Sequence, residues 1–193
     1  MISGKKDIVF AVDGSRRVDE AMFGKMKKLV KASLRSYNIS VPETNVALMQ
    51  FGSDAEIKLR LNQGTNLDTV EKSVNDLARV GGPRRMNKAL RVIRRDIFNG
   101  LKRNNVQRVV VLFTTGKNSG DGTGELPRVA RDLRSQGVEV IVIVVGKEID
   151  PKEIESITGK KGNDIIVGDV NKLPKVIGIL EAKVREAGGE FQF

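Results

Sequence analysis

Asp7-Ile8-Val9-Phe10-Ala11-Val12-Asp13-Gly14-Ser15-Arg16-Arg17 is the stretch on which the reading of this chain turns. Ile8 to Val12 is apolar without a break, which fits a strand covered on both faces, as in the interior of a parallel sheet. The run ends at a carboxylate, a short polar turn and two arginines. Val109 to Phe113 and Val138 to Val145 are predicted as inner strands of the same kind. Amphipathic segments separate them. Met22, Met26, Leu29 and Val30 recur at helical spacing, with Lys25, Lys27, Lys28 and Lys31 on the wetter sides. Met86, Leu90, Ile93 and Ile97 form the apolar stripe of a third helix. A last helix carries Leu173, Val176, Ile177, Leu180 and Val184 and stops at Gly188-Gly189.

A hairpin interrupts this alternation. Val46 to Phe51 and Ala55 to Leu61 flank the turn Gly52-Ser53-Asp54. The second limb alternates apolar and polar residues, as an exposed edge strand does, and its Lys58 and Arg60 discourage edge pairing. The predicted order is strand, helix, hairpin, helix, helix, strand, helix, strand, helix, strand, helix. That order gives a doubly wound α/β fold: a mostly parallel six-stranded sheet with one antiparallel edge strand and helices on both faces. The whole of 1–193 reads as one domain with its core over about 6–187. Ligands of such folds sit at the carboxyl ends of the strands, near the switch point of strand order. Asp13, Arg84 and Thr115 all fall in loops expected on that rim.

Composition narrows the chemistry. There is no Cys and no His among 193 residues, which removes thiolate chemistry, the commonest transition-metal ligand and the usual general base near neutral pH. No nucleophile–base pair or carboxylate constellation stands out at the rim, so an enzyme is disfavoured. The formal charge of +10 points to an acidic partner or an anionic surface. With one Tyr, seven Phe and no Trp, base-stacking platforms are not expected, which counts against nucleic acid. No apolar run approaches membrane-spanning length. Met1 to Lys6 carries no signal-peptide pattern, so the compartment is not encoded in that stretch.

Taken in order, Asp7 to Ser15, Val46 to Phe51, Gly81-Gly82 before Lys88-Ala89-Leu90, and Val109 to Gly116 resemble the von Willebrand factor type A domain, the integrin I-domain fold. The likeness runs from about Lys6 to Val184 and is nearest to the matrix subgroup of matrilins and collagen VI chains. It implies a secreted, extracellular matrix protein whose domain adheres to collagen or another matrix component. It also implies where a magnesium ion would sit. The family pattern is Asp-x-Ser-x-Ser after the first strand, a Thr in a second loop and an Asp in a third. Here Asp13 and Ser15 remain, Arg17 stands at the second Ser, Arg84 at the Thr and Thr115 at the Asp.

Magnesium requires near-octahedral oxygen ligands, and this inventory falls short. Two guanidinium groups beside a divalent ion would cost on the order of several kcal/mol in a partly buried pocket. No cofactor is therefore expected. Two arrangements are open for Asp13. Arg17 or Arg84 replaces the metal through bidentate guanidinium–carboxylate pairing; or both arginines face solvent and Asp13 pairs only with backbone amides and Ser15.

Arg16, Arg17, Arg84, Arg85 and Lys117 are expected together on one end of the domain. Arg84, Lys88, Arg91 and Arg95, spaced four, three and four apart, would continue this basic face along the third helix; Lys102, Arg103 and Arg108 come next in the chain. A charged stripe opposite a core face is ordinarily just solvated. Between Arg79 and Arg108, however, one carboxylate, Asp96, stands against ten Lys and Arg residues. These residues are the candidate ligand contacts, for a matrix protein, an acidic protein or a sulfated glycosaminoglycan. The alternatives are an architectural module packed in a tandem array, and an intracellular scaffold or nucleic-acid binder. Asn38-Ile39-Ser40 matches the N-glycosylation pattern in the loop after the first helix.

Overall fold

The computed structural model describes residues 4–99, 103–146, 150–160, 164–166 and 172–188. Lys102 and Gly189 lie outside them. Among the described residues six strands form one sheet: β1 (Lys6–Asp13), β2 (Thr44–Phe51), β3 (Ala55–Leu59), β4 (Gln107–Thr114), β5 (Val138–Val144) and β6 (Asp164–Ile166), in the order β3-β2-β1-β4-β5-β6. All neighbours are parallel except β2 and β3, which pair antiparallel as the hairpin. Edge strand β3 stops at Leu59, short of the expected Leu61. There Arg60 turns the chain, its carbonyl accepting from the backbone N–H groups of Gln63 and Gly64.

Among the described residues six α-helices cover the sheet: α1 (Glu20–Leu34), α2 (Leu67–Asn75), α3 (Met86–Val92), α4 (Leu126–Arg134), α5 (Pro151–Thr158) and α6 (Leu173–Gly188). The alternation hidden in each apolar run assigns the two faces. Ile8, Phe10 and Val12 of β1 pack with Phe23, Met26 and Leu29 of α1, Val70 and Val74 of α2, and Leu180 and Val184 of α6. Val9 and Ala11 point the other way, into Met86 and Leu90 of α3, Ala130 and Leu133 of α4, and Ile154 and Ile157 of α5. Both sides of β1 are thus removed from water, which explains an unbroken apolar run where a half-wet strand would alternate.

Helix boundaries reflect local chemistry. Asp19 caps α1 by accepting from the Met22 N–H, Asn66 caps α2, and Asp150 caps α5 ahead of Pro151. The third helix departs from expectation. Arg84 precedes it, and after Val92 the chain widens into a π-helical turn over Ile93–Ile97. The inserted residue rotates the turns beyond it, so Arg84, Lys88, Arg91 and Arg95 do not lie on one straight helical line.

Candidate functional site

Strand order reverses between β1 and β4, so their carboxyl ends diverge into the crevice where doubly wound folds hold ligands. Asp13 ends β1 and Thr114 ends β4, side by side. Backbone hydrogen bonds fix the loop after β1 to the loop before α3. Gly81 N–H donates to the Gly14 carbonyl (2.8 Å) and Arg16 N–H to the Gly82 carbonyl (2.9 Å). Gly81 and Gly82 sit at φ +77° and +69°, a consecutive left-handed pair that residues with a Cβ rarely adopt. That turn aims the next side chains back into the crevice.

Arg84 fills it. The side chain is 1% exposed, and each guanidinium nitrogen has an acceptor: Nε donates to Asp13 Oδ2, Nη2 to Thr115 Oγ1, and Nη1 to the Lys117 carbonyl at 3.0 Å. Its backbone is held as well. Arg84 N–H donates to Ser119 Oγ (2.9 Å), and Ser119 N–H returns to the Arg84 carbonyl (2.8 Å). Asp13 is fully buried. Its Oδ1 accepts from Ser15 N–H (3.0 Å), while Oδ2 also accepts from Thr114 Oγ1 (2.9 Å). Of the two arrangements left open by the sequence, the structure shows the inward arginine, and it is Arg84; Arg17 is exposed. The expected bidentate fork is absent. Arg84 meets Asp13 through one nitrogen and spreads the others over β4 and its loop, because Asp13 Oδ1 is already committed to the Ser15 amide. Buried Ser15 Oγ has no hydrogen-bond partner among the described residues.

Burial also removes Arg84 from the predicted ligand contacts, since its guanidinium faces the protein. The other cations are on the surface, and most have carboxylate partners, including Asp121 and Glu125 of the third loop, the nearest opposing charges in the sequence there. Arg85 pairs with Asp121 (3.2 Å), Lys88 with Asp54, Arg91 with Glu125, Arg95 with Asp96 (2.7 Å) and Lys117 with Asp150 (3.4 Å). Except for Asp96, these partners arrive from loops more than thirty residues away. The imbalance of ten cations against one carboxylate is therefore a property of the segment and not of the surface. Arg16 and Arg17 are exposed with no side-chain partner among the described residues. Arg103, read as a continuation of the basic stripe, clamps the opposite end of the sheet through Asp7 and the carbonyls of Lys6, Val41 and Glu43.

Sequence reading missed Asn118 and Glu153. Asn118 Oδ1 accepts from Met86 N–H (2.8 Å), capping α3, whose own N-terminal residue Arg85 supplies no side-chain cap. Asn118 N–H in turn donates to Glu153 Oε1 (2.8 Å), which ties the rim loop to α5. Burial pushes the Glu153 carboxyl above its ordinary 4.5, the Asn118 amide opposes this, and the charge of Asp150 adds to the rise. The folded state thus binds this proton more tightly than the unfolded chain, so the associated stability is present at low pH and lost as pH climbs through the raised value. Glu153→Gln keeps the acceptor and drops the charge. It should be more stable than the parent in urea melts at neutral pH, with the advantage vanishing below about pH 4.

A doubly wound sheet with a carboxylate-ended first strand and a threonine-ended fourth at the switch point defines a Rossmann-like domain with its site on the strand carboxyl ends. The chain belongs to the von Willebrand factor type A domain family, whose sequence profile matches residues 7–178. The collagen alpha-6(VI) chain of Mus musculus is 23% identical over 190 residues, 96% of this chain and 8% of that one. Matrilin-2 of Mus musculus is 23% identical over 187 residues, 93% of this chain and 19% of that one. The chain spans under a fifth of the length of these curated relatives. Among solved structures, proximal thread matrix protein 1 from the mussel byssus superposes with a TM-score of 0.85 at 22% identity, over 95% of this chain and 49% of that one. That protein also has a form with a zinc-occupied MIDAS motif. Manganese-loaded TRAP protein of Plasmodium vivax gives a TM-score of 0.75 at 20% identity, over 90% of this chain and 72% of that one.

Proposed function

We propose that this domain is a non-catalytic adhesion module of a secreted matrix protein, which engages collagen or another matrix component without a metal ion. Membership of a family shared with collagen VI and matrilin-2 supports the adhesion reading. The observation that carries metal independence is Arg84, seated between Asp13 and Thr115 with every nitrogen engaged. A divalent ion there would have to displace a buried cation, and of the groups that Arg84 contacts among the described residues one is a carboxylate, Asp13. The donor set does not fit magnesium. Among the described residues, no group of three or more acidic, His or Cys side chains could hold a metal elsewhere.

The contact surface is the exposed rim around Arg16 and Arg17, flanked by the paired Arg85, Lys88, Arg91, Arg95 and Lys117. Pairing makes those flanking charges suited to a polar protein partner, where they fix register, more than to bulk attraction of polyanions. Asn38 is exposed in the loop after α1, where a glycan would meet no packed neighbour of the core. No helix among the described residues is long and apolar enough to cross a membrane.

Solid-phase binding to collagen, with and without EDTA, tests both halves. Saturable binding that ignores EDTA is expected, together with a melting temperature unmoved by millimolar Mg²⁺ or Mn²⁺. EDTA-sensitive binding, or a several-degree rise with Mg²⁺, would contradict metal independence. Absence of matrix binding together with self-association would instead favour a packing module of a tandem array, a reading consistent with the small share of each relative that this chain spans.

A further inference from the structure

With most rim cations paired, the excess positive charge must lie elsewhere, and the side of α1 away from α6 holds an open groove of about 430 Å³. It runs between α1 and the segment leaving α2. Lys27, Lys28, Lys31 and Arg79 line it against a single carboxylate, Glu20, and Gly24 lies in the helix wall. Two of the ammonium groups are anchored. Lys27 Nζ donates to the carbonyls of Asn75 (2.7 Å) and Leu77 (3.0 Å), and Lys31 Nζ to Asn75 Oδ1 (3.1 Å). An ammonium has three donors, so one remains on Lys27 and two on Lys31. Lys28 is exposed and has no partner among the described residues.

Gly24 shapes the same groove. It sits inside a fifteen-residue helix, where glycine is unfavourable, yet a Cβ placed there would meet nothing within 4 Å. Packing does not require it. Its effect is to leave the groove open down to the helix backbone.

We propose that this groove is a binding site for the sulfate and carboxylate groups of an anionic polysaccharide. Lys27, Lys28 and Lys31 fall within little more than one turn of α1, so their ammonium groups can meet neighbouring anionic groups of a linear polyanion. The large apolar lining residues, Phe23 and Leu77, are only 3% and 4% exposed, and Ala78 adds one methyl group, so the groove offers no pocket for the apolar anchor of a peptide. It offers no aromatic face for a base either. Compact, rotatable ammonium donors suit tetrahedral sulfate without demanding a planar fork.

This site does not depend on the adhesion reading, and collagen binding can be kept or lost without bearing on it. Calorimetric titration with a heparin hexasaccharide at two salt concentrations tests it. Lys28→Ala/Lys31→Ala should weaken binding about tenfold and lower the salt-dependence slope by about 1 to 2. Lys88→Ala/Arg91→Ala, which removes paired cations, should stay within about twofold. Gly24→Gln fills the groove without altering charge or packing; it should fold normally and lose binding. Equal affinity of the parent, the lysine double variant and Gly24→Gln would overturn the site. Equal affinity for a desulfated hexasaccharide, or tighter binding of duplex DNA, would overturn the assigned ligand class.

Discussion

Arg84→Met is expected to lower the unfolding free energy by about 3–5 kcal/mol, the usual consequence of removing one member of a buried ion pair. The methionine fills most of the volume, so the loss is chiefly electrostatic. Asp13 would remain fully buried with only Ser15 N–H and Thr114 Oγ1 as close donors. Thr115 Oγ1 and the Lys117 carbonyl would lose their donor as well. For a domain of this size each kcal/mol moves the melting temperature by about 2–4 °C, so a fall of about 10 °C is expected by calorimetry. Arg84→Lys should recover only part of this. An ammonium on a flexible stem cannot reach three divergent acceptors that the planar guanidinium spans at once. Asp13→Asn/Arg84→Met removes both charges and should be more stable than the sum of the two single losses predicts, with a coupling of about 1–3 kcal/mol. Adding Mg²⁺ to Arg84→Met should not rescue it, because Thr115 brings no carboxylate to the emptied crevice. A single variant that melts with the parent would show that the pair contributes nothing to the fold.

The elements that position this crevice were legible because they rest on local pattern. Ile8 to Val12 and Val109 to Phe113 announce buried strands, and the hairpin turn is written in Gly52-Ser53-Asp54. The resemblance placed Asp13, Ser15, Arg84 and Thr115 around one crevice, and hydrogen bonds join them there. What stayed hidden depends on contacts between residues far apart in sequence. Whether Arg17 or Arg84 turns inward is decided by the left-handed Gly81-Gly82 turn and the Ser119 anchor, neither of which has a period or a composition signature. The same cause misled the charge reading. Arg91 finds Glu125 and Lys88 finds Asp54 only after the loops fold over α3, so a window along the chain overstates the bare positive surface. The π-helical turn at Ile93–Ile97 has no apolar signal of its own, since Ile93 and Ile97 also fit an ordinary helical spacing.

Gly52→Ala should be comparably damaging from the opposite direction, through sterics alone. A Cβ at Gly52 would stand 2.3 Å from the Gly81 carbonyl oxygen and 3.2 Å from Ser15 Cα, both backbone atoms that cannot swing away as a side-chain tip can. Either the hairpin or the 79–82 loop must move. That loop is joined to the rest of the rim by Ser53 N–H to Gly81 O (2.9 Å), Gly81 N–H to Gly14 O and Arg16 N–H to Gly82 O, so the displacement reaches the turn that delivers Arg84. A loss of about 3 kcal/mol is expected, in the range of overpacking a rigid site. Hydrogen exchange should speed up at the amides of Ser53, Gly81 and Arg16 while the β1–β4 ladder stays protected. Gly24→Ala is the matched control. Its new methyl group meets open space in a helix interior, so it should stabilise by up to about 1 kcal/mol. Two glycine-to-alanine changes would then move stability in opposite directions, because in one case the missing side chain is required by backbone packed against it and in the other by nothing inside the domain. Equal effects of the two changes would mean that the contacts around Gly52 do not hold the rim loops in place.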